Sequence, residues 1–191
     1  MMSLPIIFIG QWHAQRCSMK GTRTKPPTSL EHVDLDVLED TLSFYIRAIS
    51  LAVSRDLDDC LEGLDVARGT GKVTTLLLVD SHPGIRPSVI AHLVMKDRAA
   101  MGRLVDQMIE HGLLTRKISS DDSRAHELYI TPAGSELAAK VRVLATEQSK
   151  RFFDFIPEQE QKQIMDILKR AYCRFVGMPP QNDADKEGRV A

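Results

Sequence analysis

Between Asp97 and Gly112 the sequence places planar hydrogen-bonding side chains at helical spacing. Met101, Leu104, Val105 and Met108 follow one another at steps of three and four and form an apolar stripe. Arg98, Ala99, Ala100, Gly102, Arg103 and Gln107 are left on the outward or flanking faces. Guanidinium and carboxamide groups offer paired hydrogen bonds, and against a base edge in a DNA groove each good pair discriminates by about 1–3 kcal/mol. Ala99 and Ala100 suit small apolar contacts such as a thymine methyl. Gly102 gives up about 1 kcal/mol of helix propensity relative to Ala, a loss that close backbone approach would explain. An ordinary solvated helix surface is the alternative for this face.

Bond-making chemistry has no comparable foothold. The six His (13, 32, 82, 92, 111, 126) are scattered, and no GxSxG, HExxH, GxGxxG or complete phosphate-loop pattern occurs. Gly69-Thr70-Gly71-Lys72 is reminiscent of a phosphate loop but lacks a preceding strand and the Ser/Thr after Lys, so it is read as chance. Cys17, Cys60 and Cys173 are odd in number and widely spaced, which argues against a disulfide framework or a zinc site. No enzyme, cofactor or metal is therefore expected. The formal net charge of −1 gives no hint of a polyanionic partner, and any such partner must be argued from where charges point.

The elements that would position these groups are mostly helical, since aromatics are only 5% of the chain while Leu, Ile, Val, Met and Ala dominate. Residues 1–33 read as a flexible arm, with the Pro/Thr/basic stretch Lys20–Ser29 and an apolar run, Leu4–Ile9, of unassigned role. That run is far short of the ~20 apolar residues of a membrane span and its positive charges follow it, so the chain is expected in the cytoplasm. From Asp34, apolar residues at steps of three and four through Leu64 describe one long amphipathic helix. Short helices follow at Val73–Ser81, at Pro87–Val94 with Pro in the first turn, and from Asp97 as N-cap to the Gly112 stop. The period then changes: residues 113–118 and 126–131 flank the polar loop 119–124 as a hairpin. Pro132 and Gly134 launch a further long helix, Glu158 to about Phe175 a last one, and 177–191 read as a disordered tail.

Helix, helix, turn, helix, hairpin and long helix, with Ile90-Ala91, Arg103-Leu104-Val105-Asp106, Gly112-Leu113, Asp122-x-Arg124 and Thr131-Pro132-Ala133-Gly134 in order, resembles the MarR family over about Leu35–Phe175. The family usually has Ser or Thr at the positions of Ala99, Ala100 and Gly102, commonly Gly at Met95, and often Thr or Ser at Arg86. The resemblance implies a mainly α fold with a small β-hairpin wing: a winged helix-turn-helix at 70–134 flanked by dimerisation helices at 34–64 and 135–176. It implies a DNA-binding transcription regulator, read as a repressor, that meets a pseudo-palindromic operator as a homodimer. DNA contacts are then expected from Arg86, Ser88, Arg98, Ala99, Ala100, Arg103, Gln107, Arg116 and Lys117, and from Arg124 in a minor groove, with Asp122 shaping the wing. A protein-interaction module on the same fold, without sequence-specific DNA binding, is the alternative.

The family also implies a small, aromatic or carboxylate effector, and Tyr45 and Arg47 are the candidate lining, with a core Tyr and a surface Arg as the plain alternative. Leu38–Tyr45 resembles the helix that carries the reactive Cys of peroxide-sensing members, but Ser43 stands in its place and a hydroxyl cannot follow thiol oxidation. From Gly84 to Gly134 seven Lys/Arg face six Asp/Glu, a net of +1, so a shallow salt dependence is expected.

Overall fold

Residues that cap or pre-set a first turn fix where the central helices begin. A computed structural model describes residues 29–119 and 125–179. The chain divides into two units, Met1–Leu42 and Ser43–Ala191. The described part of the first holds two short 3-10 turns, Leu30–His32 and Asp36–Leu38.

Helix α1 runs Leu42–Cys60, which corrects the expected start at Asp34 and end near Leu64. Asp36 adopts φ +51°, a left-handed conformation that a right-handed helix cannot continue through. Its N–H is taken instead by the Asp34 carboxylate at 2.8 Å, the local side-chain bonding by which Asp competes with helix. At the other end the backbone turns at Gly63, with φ +78°. Of the expected N-terminal arm at 1–33 and tail at 177–191, residues 1–28 and 180–191 lie outside the described residues.

Helix α2 (Thr70–Ser81) begins earlier than expected and takes Gly71 into its first turn. Helix α3 (Pro87–Leu93) opens with Pro in its first turn, and α4 (Arg98–Glu110) is capped by the Asp97 carboxylate, which accepts from the Ala100 N–H at 2.8 Å. Strands β1 (Leu114–Ile118) and β2 (His126–Ile130) pair antiparallel, Leu114 opposite Ile130 and Ile118 opposite His126. Ile85 adds a single bridge to Leu128, so the chain entering α3 is stitched to the hairpin. Helices α5 (Pro132–Phe152) and α6 (Glu158–Val176) follow.

At the start of α5, Thr131 Oγ1 accepts from the Gly134 N–H at 3.0 Å and donates to the Gly112 carbonyl at 2.7 Å, which joins the helix to the α4–β1 corner. Gly134 is required there, because a Cβ would collide with the Leu113 carbonyl oxygen and lie 2.8 Å from Ile130 Cγ1.

The core belongs to α2–α4, the hairpin and the first half of α5: Leu76, Val79, Ile90, Met101, Val105, Met108, Leu114, Leu128 and Val141 are fully buried. Leu104, placed on the same stripe by sequence, is partly buried against it. Asp80 ties α2 to Arg142 and Ser135 of α5, and Asp56 of α1 accepts from Gln148 at 2.7 Å and Arg151 at 3.0 Å. By contrast α1 buries none of its residues and α6 only Val176. The fold is a winged helix-turn-helix with helices on both flanks. No helix among the described residues is long and apolar enough to cross a membrane.

Candidate nucleic-acid interface

Asp97 sets the first turn of α4, and its cap bond acts on its own ionisation. The Ala100 amide holds its carboxyl below the ordinary Asp range, with smaller help from the Ala99 amide and the Arg103 charge. Beyond the cap, Arg98, Ala99, Arg103 and Gln107 are exposed and Ala100 is half-buried. These residues do not form one face. Nine positions at 3.6 per turn put Arg98 and Gln107 about half a revolution apart around the axis. Ala100, Arg103 and Gln107 lie along the flank that borders the first turn of α2, where with Gly69, Gly71, Lys72, Lys96 and Leu104 they line a groove of about 300 Å³. Arg98 lies on the other flank, and Ala99 stands nearest the line opposite the apolar stripe.

The turn between α3 and α4 contains a strained residue. Met95 sits at φ +53° and is 61% exposed, so a long side chain occupies a position that favours glycine without burial in return. Ahead of it, Arg86 and Ser88 at the start of α3 are exposed, and Arg86 makes no side-chain cap bond.

On the hairpin the two cations expected at phosphates are both engaged within the protein. Arg116 donates to Asp106 of α4 at 2.7 Å, and Lys117 Nζ lies 4.5 Å above the Tyr129 ring. The Tyr129 hydroxyl donates to Glu127 at 2.8 Å. The Glu127 carboxyl is held below its ordinary range by the neighbouring Ser119 hydroxyl and by Tyr129, with the Arg86 and Lys117 charges adding to the effect. Of these two hydroxyls, Ser119 Oγ stays outside strict hydrogen-bond geometry, so the Tyr129 bond is the firmer contact. Asp122 and Arg124, the expected wing residues, lie outside the described residues.

Tyr45 and Arg47 are exposed on α1. Neither lines the larger groove of about 450 Å³, which is formed by Leu77 of α2 with Arg142, Ala145, Thr146, Ser149 and Lys150 of α5. Among the described residues, hydrogen bonds join α6 to α3: Tyr172 donates to the Leu93 carbonyl at 2.9 Å and His92 Nε2 to the Val176 carbonyl at 2.8 Å. With 84 positions between His92 and Val176, no local pattern announced them. Cys60 and Cys173 are free thiols, and Cys60 Sγ accepts from Arg151 at 3.2 Å.

Residues 71–126 match the family model described as "MarR family". Over 155 residues the chain is 26% identical to the protein named for transcriptional regulation of the hcr operon of Thauera aromatica, covering 81% of this chain and 93% of that one. The transcriptional repressor CouR bound to a 23-mer DNA duplex superposes with a TM-score of 0.64 at 24% identity, over 71% of this chain and 95% of that one. PcaV from Streptomyces coelicolor, in complex with its natural ligand, gives a TM-score of 0.63 at 19% identity over 73% and 94%. At these identities the two structures establish the fold.

Proposed function

We propose that the chain is a transcription regulator of the MarR family, a reading supported by the family match over residues 71–126 and by the similarity to the Thauera aromatica regulator, and that it binds a pseudo-palindromic operator as a homodimer, represses, and is released by a small aromatic or carboxylate ligand. The observation that carries this reading is the solvent exposure of Arg98, Ala99, Arg103 and Gln107 around a capped helix whose Met101, Val105 and Met108 are buried. With Ala100 they supply the base-edge contacts, Arg86, Ser88, Arg116 and Lys117 the phosphate contacts, and Arg124, shaped by Asp122, the minor-groove contact. Arg116 reaches phosphate only by leaving or sharing Asp106.

The homodimer is supported by apolar faces that the chain leaves uncovered. Ile46 and Ile49 on α1 are 50% exposed, Ile167 on α6 56% and Phe175 73%. Fully burying such a side chain is worth about 1.5–3 kcal/mol, and faces of this kind are covered by a second copy in symmetric regulators. Repression and release are supported by relatives: CouR is a repressor seen on DNA, and PcaV is seen with its natural ligand. Tyr45 and Arg47, exposed on α1, remain the proposed ligand contacts.

The test is fluorescence anisotropy on the DNA upstream of the chain's own coding region. Arg98→Ala and Arg124→Ala are expected to weaken binding by roughly five- to a hundredfold each, the equivalent of about 1–3 kcal/mol. Light scattering should show both variants still dimeric. If the wild type shows no preference for that DNA over random duplex at moderate salt, a protein-interaction module is the correct reading instead.

A further inference from the structure

Lys72, Lys96 and Arg103 come from three separate parts of the fold: the first turn of α2, the turn before α4, and α4 itself. They converge on the groove of about 300 Å³ described above. Among the described residues none of the three forms an ion pair, the pairs present being His111–Asp65, Arg116–Asp106, Arg142–Asp80 and Arg151–Asp56. Lys72 Nζ reaches only the Asp65 main-chain carbonyl, at 3.4 Å. Three cations without an ion-pair partner repel one another in one concavity, with the Asp97 charge acting on Arg103 alone, an arrangement that an anion relieves. The α2 terminus has the same sign: Gly69 offers no side-chain cap and no acidic residue stands in the first turn.

Gly71 is what allows this approach. It is buried, and a Cβ there would lie 2.6 Å from Lys96 Cε and 3.0 Å from Leu104 Cδ1. The Gly69-Thr70-Gly71-Lys72 stretch therefore has a structural reason, though not a nucleotide-binding one, since turns rather than a strand precede it.

Resting on the DNA-binding reading above, we infer that Lys72, Lys96 and Arg103 form a clamp for a backbone phosphate of the bound duplex, on the flank of α4 that faces α2. A helix in a major groove about 12 Å wide is bordered by phosphate rows, so cations on its flank meet phosphate while its outermost side meets bases. Lys72 and Lys96 are thereby added to the contact set, and Arg103 moves from base reading to phosphate.

Phosphate neutralisation is read from salt dependence. The experiment titrates full-length wild type, Lys72→Ala, Lys96→Ala, Gly71→Ala and the double variant Gly71→Ala/Lys96→Ala onto a mixed-sequence duplex of about 30 base pairs, long enough for two half-sites. One lost contact per half-site lowers the log–log salt slope by about two units per dimer, so the ratio of wild-type to variant affinity shrinks roughly tenfold between 50 and 200 mM salt. Lys72→Ala and Lys96→Ala should each show this. Gly71→Ala, whose methyl displaces the Lys96 tip, should lower the slope by no more than Lys96→Ala does, and the double variant should lose no more than Lys96→Ala alone, although Ala is the better helix former. Unchanged slopes in both lysine variants, with wild type bound, overturn the clamp and leave the DNA-binding reading intact. Failure of wild type to bind any duplex overturns that reading first. A melting-temperature rise with millimolar inorganic phosphate that depends on Lys96, with unchanged slopes, assigns the groove to a free anion and also overturns the clamp.

Discussion

Replacing Gly134 and Gly102 by Ala should move stability in opposite directions, although both glycines stand in helices. At Gly134 a methyl group meets the Leu113 carbonyl oxygen, with Leu113 C at 3.0 Å and Ile130 Cγ1 at 2.8 Å. Backbone cannot swing aside as a side-chain tip can, so the α5 start must move away from the α4–β1 corner. Overpacking of this kind costs about 1–3 kcal/mol. The Thr131 N–H bond to Leu113 and the Thr131 cap on Gly134 share that corner, and weakening them costs about 1 kcal/mol more. Helix propensity returns about 1 kcal/mol, leaving a net loss of about 2 kcal/mol. In a chain of this size that lowers the melting temperature by roughly 4–8 °C. At Gly102 no atom lies within 4 Å of the added methyl, so the propensity gain of up to about 1 kcal/mol stands alone and the melting temperature rises. Thermal unfolding followed by circular dichroism reads both. A Gly134→Ala protein as stable as Gly102→Ala would refute the packing argument.

Met95→Gly should raise the melting temperature by roughly 2 °C, because relief of a left-handed residue worth about 1–2 kcal/mol exceeds the added freedom of the unfolded chain; a decrease on the same unfolding scan would show that the exposed Met95 side chain stabilises the turn. Asp97 binds its proton more weakly folded than unfolded. Its advantage over Asp97→Asn, which keeps a cap acceptor, is therefore full above about pH 4 and fades as pH falls below that, as paired melts from neutral to acid pH would record. Ile49→Glu or Ile167→Glu should convert the proposed dimer to monomer in size-exclusion chromatography with light scattering, and an unchanged mass would place the interface elsewhere.

Much of the helix-turn-helix and hairpin was legible because its signals are local. The Asp97 cap, Pro87 in a first turn, the Gly112 stop at φ +69° and the Thr131–Gly134 start each act within four residues. Helix α1 was read too long because Leu35 and Leu38 keep the apolar period while Asp34 and Asp36 bond to each other and break the backbone. Periodicity registers side chains and cannot register that competition. The candidate interface was harder. Composition places Arg116 and Lys117 beside the wing but not the Asp106 carboxylate and Tyr129 ring that hold them. Lys72 and Lys96 were overlooked because they are 24 positions apart in the numbering and converge only through the packing of α2 against α4. The Gly69-Thr70-Gly71-Lys72 stretch was read as chance, whereas the missing side chain of Gly71 makes room for Lys96.

The most direct measurement is hydroxyl-radical footprinting of the wild-type protein on the DNA upstream of its own coding region. Two protected patches should appear, centred about 10–10.5 base pairs apart on either side of a dyad, and both should fade together in Arg98→Ala. Uniform weak protection without a dyad, or a pattern indifferent to Arg98, would contradict the claim that two copies of α4 read one duplex.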